Sequence, residues 1–364
     1  MKIPEDIVSN NAPRPVPGRR LAEGWITTPA GEIPLVAARL GWKDRIGTLL
    51  VRFAMGRMDY AVEPGLYAVG SPSPGSPVLV SANYKLSFDH LRSKLAGVDA
   101  WILVLDTKGI NVWCAAGKGT FGTDEIVRRV EETKLASAVT GRVMILPQLG
   151  APGVSAHEVA RRTGFKVVYG PVRATDIPEF LRAGMKATIG MRRVRFDLAD
   201  RMALIPVELV IGTKTMLMIA AVLVLSGGLG TGWYSVDRAA EYAPAIAGIS
   251  LGAFLTSFIL VPVLLPWLPG KAFSLKGAWL GIALAAGLWI MARAGFVPVG
   301  GTTEIYALMT GIIALSSFIA MNFTGASTYT SLSGVIKEMK TAVPAQKALA
   351  VVAAGLWLAG RFAR

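Results

Sequence analysis

The sequence predicts an α/β Rossmann-like domain followed by an all-α transmembrane helical bundle, and three observations carry that expectation. Hydrophobic residues make up 52% of the 364 positions and charged residues only 17%, more apolar content than a soluble chain of this size needs. The excess is unevenly placed: charged and apolar residues mix up to about residue 205, and long apolar stretches with short polar connectors follow. Within the first part, short β-branched runs alternate with amphipathic stretches, the pattern of a mostly parallel sheet with helices on both faces. The chain is therefore expected to divide into a polar, Pro-rich segment at 1–44, an α/β domain at 45–200 and a membrane domain at 201–364.

Strands are expected at 48–53, 77–81, 100–105, 142–146 and 166–169, where Val, Leu and Ile cluster. Helices are expected between them, at 86–95, 123–133, 155–163 and 175–182. Ligands of such sheets bind beyond the carboxyl ends of the strands. The loops there, at 82–84, 106–118, 147–154 and 170–171, include Gly- and Pro-rich stretches, which let backbone approach a ligand closely.

Apolar spans follow at 207–229, 243–268, 275–293, 304–323 and 345–362. Each is near the ~20 residues that cross a bilayer. Lys214 reads as a snorkelling residue near the start of the first span, and Lys347 and Arg361 as snorkelling flanks of the short last one. The net charge of +14 does not point to nucleic acid, because the basic residues are scattered except for Arg192, Arg193, Arg195 and Arg201. That cluster precedes the first span, where positive charge faces the cytoplasm and anionic lipid. Lys271 and Lys276 in the second connector, and Lys337, Lys340 and Lys347 in the fourth, agree with it. The expectation is a multi-pass protein of the cytoplasmic membrane, with the α/β domain inside and the C-terminus outside. Residues 1–20 show no apolar core of a signal peptide, so none is expected.

The chemistry-bearing stretch is Asn111-Val112-Trp113-Cys114-Ala115-Ala116-Gly117-Lys118-Gly119-Thr120. Cys114 is the single cysteine, which excludes an internal disulfide and an iron–sulfur cluster held by this chain alone. It follows a buried strand, among small residues that leave room for a large flat ligand. A helix N-terminus there would favour thiolate, the form that binds metals. An overlapping pattern, Gly117-Lys118-Gly119-Thr120-Phe121-Gly122, matches G-x-G-x-x-G but lacks the acidic residue about 20 positions on. No nicotinamide cofactor is expected from it.

Residues 111–118 resemble the signature of the mercury-methylating corrinoid proteins, the HgcA family, and residues 322–331 resemble a second element of it. The architecture is similar too: a corrinoid domain like that of the corrinoid iron–sulfur protein's large subunit, here without its four-Cys module, then a membrane tail. The resemblance implies a cobalamin-type corrinoid with Cys114 as the lower axial cobalt ligand, and methyl transfer from methyl-cobalt(III) to Hg(II), giving methylmercury. The histidine-ligating pattern D-x-H-x-x-G is absent: neither His90 nor His157 has Asp two positions before it. A thiolate is a soft, strong donor, and trans donation would favour release of methyl as a carbanion, while a radical route gives the same product. That route leaves cobalt oxidised, so a low-potential reductant is required. The resemblance implies a ferredoxin-like partner with two 4Fe–4S clusters (HgcB) and a methyltetrahydrofolate-dependent methyl donor system.

Candidate corrinoid contacts are Asn111, Val112, Trp113, Ala115 and Gly117 around Cys114, with Lys118 either capping the helix region or meeting a phosphate or propionamide of the cofactor. Further candidates are Asn83, Thr107, Thr120, Gln148, Gly150, Ala151, Pro152, Gly153 and Gly170. Two other functions fit the same architecture. One is a corrinoid methyl carrier of one-carbon or acetyl-CoA metabolism with another acceptor. The other is a non-catalytic membrane transporter or sensor with an α/β domain.

Overall fold

Alternating exposure along Ala22–Thr28 (β1) and a tight turn at Gly31, φ 114°, make an antiparallel hairpin with Gly31–Val36 (β2). The computed structural model describes residues 18–296, 301–324 and 332–363. Buried Ile33 and Val36 tie the hairpin to the core, so residues assigned by sequence to the segment 1–44 are part of the sheet. The remaining strands are Gly65–Val69 (β3), Val78–Ala82 (β4), Ala100–Leu105 (β5), Val143–Leu146 (β6) and Lys166–Tyr169 (β7). Among the described residues they form one seven-stranded sheet in the order β1-β2-β3-β5-β4-β6-β7. The sheet is mixed: β5, β4, β6 and β7 run parallel, whereas β3 is antiparallel to β5.

The strand expected at 48–53 is instead the end of a helix, Trp42–Arg52 (α1). Trp42, Ile46, Leu49 and Leu50 recur at helical spacing, a period that the six-residue window hides. Besides short turns of helix at Gly18–Leu21 and Leu135–Ala138, this unit has Lys85–Arg92 (α2), Val112–Lys118 (α3), Thr123–Glu132 (α4), Ala156–Thr163 (α5) and Ile177–Arg182 (α6). Period-two alternation along β5 sorts the core. Trp101, Leu103 and Leu105 face Phe121, Ile126 and Val159 on one side. Ala100, Ile102 and Val104 face Phe88, Leu91 and Phe180 on the other. A buried ionic ring fixes α1 to α2. Asp44 accepts from Lys85 Nζ at 2.6 Å and from Arg92 Nη2 at 2.7 Å, while Asp89 accepts from the same two side chains at 2.5 and 2.8 Å.

The chain forms two compact units: Met1–Val51 with Met55–Val194, and Arg52–Ala54 with Arg195–Arg364. The second contains Ile205–Ser226 (α7), Val236–Leu264 (α8), Phe273–Arg293 (α9), Thr302–Asn322 (α10) and Leu332–Phe362 (α11). Among the described residues, these give five helices long and apolar enough to cross a membrane. Small residues bring α9 and α10 together: a Cβ on Gly277 would lie 2.3 Å from the Ser316 carbonyl oxygen, and one on Gly281 2.7 Å from Ile313 Cα. Buried hydroxyls and amides add short links, Ser257 to Ser316 and Gln346 to Ser317, both at 2.9 Å.

Several charges sit differently from the sequence reading. Lys214 is exposed near the middle of α7 rather than at its start. Lys276 is not a free connector charge: its Nζ donates to the carbonyls of Leu265 and Leu268 at 2.7 and 2.6 Å, covering groups left open beyond the end of α8. The last helix is 31 residues long, and Arg361 does not snorkel. Its guanidinium is buried against Glu304 at 3.1 Å, donates to the Leu229 carbonyl at 3.0 Å and lies over the Tyr242 ring. A charge that finds a carboxylate and backbone acceptors inside the bundle gains nothing by reaching for headgroups. Of the family-like element 322–331, residues 325–331 lie outside the described residues.

Candidate functional site

Chain order and strand order together locate the site. From β4 the chain goes to β5 on one side, then crosses to β6 and β7 on the other. The reversal leaves a crevice beyond the carboxyl ends of β4 and β6, where open α/β sheets bind ligands. A cleft of ≈ 340 Å³ lies there, lined by Ser81, His90, Asn111, Trp113, Pro147 and Gly170 among others.

The loop leaving β5 is held in a conformation that most residues avoid. Lys108 and Gly109 are successive left-handed residues, φ 59° and 70°. Asn83 pins them: its Oδ1 accepts from Thr107 N at 3.1 Å, Thr107 Oγ1 at 2.9 Å and Gly109 N at 3.0 Å. Asp106 adds a second anchor. Burial would raise its carboxyl, but the hydrogen bonds and charge of Lys108, with the Arg128 charge, hold it below the ordinary carboxylate range.

This loop delivers Asn111 to the start of α3. Asn111 has the extended backbone of an N-cap, and its Oδ1 accepts from the Cys114 N–H at 3.0 Å. Gly119, φ 81°, ends the helix, with its N–H on the Ala116 carbonyl. Burial then divides α3 into two faces. Ala115 and Ala116 are buried, and Gly153 packs so closely on Ala116 that a Cβ there would lie 3.1 Å from Ala116 Cα. Trp113, Cys114, Gly117 and Lys118 share the exposed face. A Cβ on Gly117 would meet nothing within 4 Å, so the space beside Cys114 is open.

The sequence candidates therefore separate by role. Asn111, Val112 and Trp113 reach the cleft, while Cys114 lies outside its lining, on the exposed face of α3. Asn83 and Thr107 are buried, and Asn83 Oδ1 and the Thr107 hydroxyl are engaged in loop geometry. Ala115 anchors α3 to the core. Thr120 makes a long contact from Oγ1 to the Ala115 carbonyl at 3.5 Å. Gln148 accepts from Arg192 Nη1 at 3.0 Å, giving that arginine a partner within the α/β unit. Gly150, Ala151, Pro152 and Gly153 form a 3-10 turn beside α3, with Gly150 over the Phe121 ring. Gly170 is close-packed on Ile145 and also lines the cleft. Packing inside the chain thus accounts for Gly150, Gly153 and Gly170, but not for Gly117.

Sequence reasoning missed Ser87 and His90, which line the cleft from α2. Their spacing after β4, one helical turn apart, was the available signal. The G-x-G-x-x-G pattern spans the end of α3 and the approach to α4, with Phe121 buried in the core, instead of linking a strand to a helix.

Comparison with known proteins places similarity on this same region. Residues 51–181 match the family model described as CO dehydrogenase/acetyl-CoA synthase delta subunit. The gamma subunit of the acetyl-CoA decarbonylase/synthase complex of Methanopyrus kandleri is 36% identical over 127 residues, covering 34% of this chain and 27% of that protein. The corresponding subunit of Archaeoglobus fulgidus is 35% identical over 127 residues, with the same coverage. That of Methanocaldococcus jannaschii is 34% identical over 128 residues, covering 35% of this chain and 26% of the relative. The chain thus spans about a quarter of the length of the curated relatives it matches.

Proposed function

We propose that the α/β unit, residues 18–51 and 55–194, forms a corrinoid-binding domain for methyl transfer, with Cys114 as the residue that would hold the cobalt. The carrying observation is the exposed face of α3, where Cys114 stands beside Gly117 with open space over both. A broad flat macrocycle fits such a face, whereas a small ligand would need walls. When bound, a corrinoid supplies a cobalt–carbon bond from which methyl can be transferred. The chain's own residues fix the donor. Asn111 caps the helix and sets the Cys114 backbone, the Asn83–Thr107 pair holds the preceding loop, and Ala115 and Ala116 seat α3 on the core. Trp113 offers an apolar surface that excludes water, and Lys118 a cation for polar groups at the cofactor edge.

The matched relatives favour a methyl carrier of one-carbon or acetyl-CoA metabolism, since they are subunits of an acetyl-CoA decarbonylase/synthase complex. The signature at 111–118 favours Hg(II) as acceptor, with methylmercury as product. Both readings use the same domain; the Hg(II) reading adds, from the resemblance at 111–118, a low-potential ferredoxin-like reductant such as HgcB and a methyltetrahydrofolate-dependent donor. The five apolar helices would hold the domain at the cytoplasmic membrane, facing the cytoplasm.

The test is full-length protein loaded anaerobically with methylcorrinoid and offered Hg(II) or an acetyl-CoA-forming partner enzyme. Methylmercury from Hg(II) decides for the second acceptor, and methyl transfer only to the partner enzyme for the first. Cys114→Ala is expected to abolish transfer and shift the visible spectrum of the bound corrinoid. Cys114→His is expected to retain corrinoid with lower turnover, because imidazole donates less charge. Near-normal transfer by the Ala variant would remove the ligand assignment.

A further inference from the structure

Helix α1 is turned inside out. A surface helix normally buries its apolar stripe. Here Trp42, Ile46, Leu49 and Leu50 share one face and are 68%, 46%, 55% and 40% exposed. Met55 and Met58, just beyond the helix, extend the exposed apolar surface. The face turned inward carries Asp44, Gly47, Thr48 and Val51, of which only Val51 is a buried hydrophobe. Rotation cannot correct this. Asp44 is held by Lys85 and Arg92, and a Cβ on Gly47 would lie 2.6 Å from the Tyr60 hydroxyl. The orientation is therefore built in, and something other than the α/β core covers the stripe.

Charge identifies the cover. Lys43 and Arg45 are exposed and border the apolar face on opposite sides, while the acidic residue of the helix, Asp44, points away from it. An apolar stripe edged by cations with an exposed Trp at one end is the pattern of a helix lying in a bilayer surface. The same chain carries five helices that keep it at a membrane, so the lipid surface is always near.

We infer that α1 docks in the headgroup region of an anionic bilayer, with Trp42, Ile46, Leu49 and Leu50 in the acyl boundary and Lys43 and Arg45 at lipid phosphates. The α/β unit then has a second membrane contact besides its covalent connection. This inference rests on the reading that the apolar helices cross the membrane, and the experiment separates the two.

Full-length protein in a Cys114→Ser background is reconstituted into vesicles of phosphatidylcholine and phosphatidylglycerol. Nitroxides are attached through Ile46→Cys or Leu49→Cys, with Met218→Cys on α7 as the lipid reference and exposed Glu32→Cys near the start of β2 as the water reference. Collision with dissolved oxygen reports lipid, and collision with a water-soluble nickel complex reports solvent. Labels at 46 and 49 are expected to show an oxygen-to-nickel ratio several-fold above that at 32, approaching that at 218. Combining the labels with Lys43→Glu and Arg45→Glu is expected to lower that ratio. Ratios at 46 and 49 equal to that at 32 would overturn docking. Protection from both reagents would also overturn it, showing a protein cover, whether a second copy or a partner. A ratio unchanged by the charge reversals would overturn the anionic-lipid assignment. A water-like ratio at 218 would instead remove the membrane-spanning reading on which the inference stands.

Discussion

Gly117 occupies the second-last position of α3, where alanine would stabilise the helix by up to about 1 kcal/mol. No chain atom lies within 4 Å of the Cβ it lacks, so its own fold gives no reason for glycine. Gly117→Ala is therefore expected to leave or raise the melting temperature of corrinoid-free protein. Gly117→Leu is expected to weaken corrinoid binding by about tenfold, the equivalent of ~1.4 kcal/mol. Equal affinity in the Leu variant would move the cofactor off this face. Asp44 makes a different residue-scale prediction. Burial alone would raise its carboxyl, but Lys85 and Arg92 outweigh burial and hold it below the ordinary carboxylate range. A carboxyl depressed in the folded state stabilises above its unfolded value, about pH 4, and that contribution is lost as pH falls through the folded value. Thermal stability of the α/β unit should therefore fall below about pH 4, and Asp44→Asn should flatten that fall. At neutral pH the same variant should cost about 1–3 kcal/mol, because buried donors lose a charged acceptor.

Among the elements, the pairing of α9 with α10 depends on two glycines one helical turn apart. With apolar lipid outside, close backbone contact and short polar links hold such helices together, since hydrophobic burial does not distinguish protein from acyl chain. Gly281→Ile puts a branched side chain where Ile313 Cα stands 2.7 Å from the Cβ position. The expected cost is about 1–3 kcal/mol, read as a lower unfolding midpoint in detergent, with the α/β unit unaffected. An unchanged midpoint would mean that the two helices pack differently. Elements also show how far sequence pattern reaches. β5 falls where its apolar run predicts, because it is buried on two faces and reads as a continuous apolar run, and β7 does so on Val167 and Val168 although it is an edge strand with Lys166 exposed. The β1–β2 hairpin escaped because it is an edge hairpin with Pro34 and exposed charges diluting its alternation. α1 escaped because its apolar stripe serves something outside the core.

For the whole molecule, parity of the spans decides where the chain ends. Five crossings with the α/β unit inside put the C-terminus outside, and the 31-residue α11 is long enough to be a full crossing. A reporter fused after Arg364 is expected to be active only when exported. Cytoplasmic activity would reduce the crossings to an even number. The buried Glu304–Arg361 pair ties the end of α11 to the start of α10, so Glu304→Gln should loosen the last helix and raise its proteolysis.

Composition and hydropathy alone determined the division into an α/β unit and apolar helices, because each solvent imposes its own period and length on the chain. The stretch 111–118 was legible for a related reason: a cysteine flanked by Trp, Ala and Gly after a buried strand has chemistry written in residue type. Tertiary structure decided what those residues do. It assigned Asn111 to a cap, Asn83 and Thr107 to pinning a loop, and Gly153 to helix packing, leaving Cys114 and Gly117 facing open space. It also paired Arg361 and capped carbonyls with Lys276, placements that depend on partners 57 and 11 residues away. No local pattern encodes such partners, because charge position follows from which carboxylate or carbonyl the folded chain brings within hydrogen-bond reach.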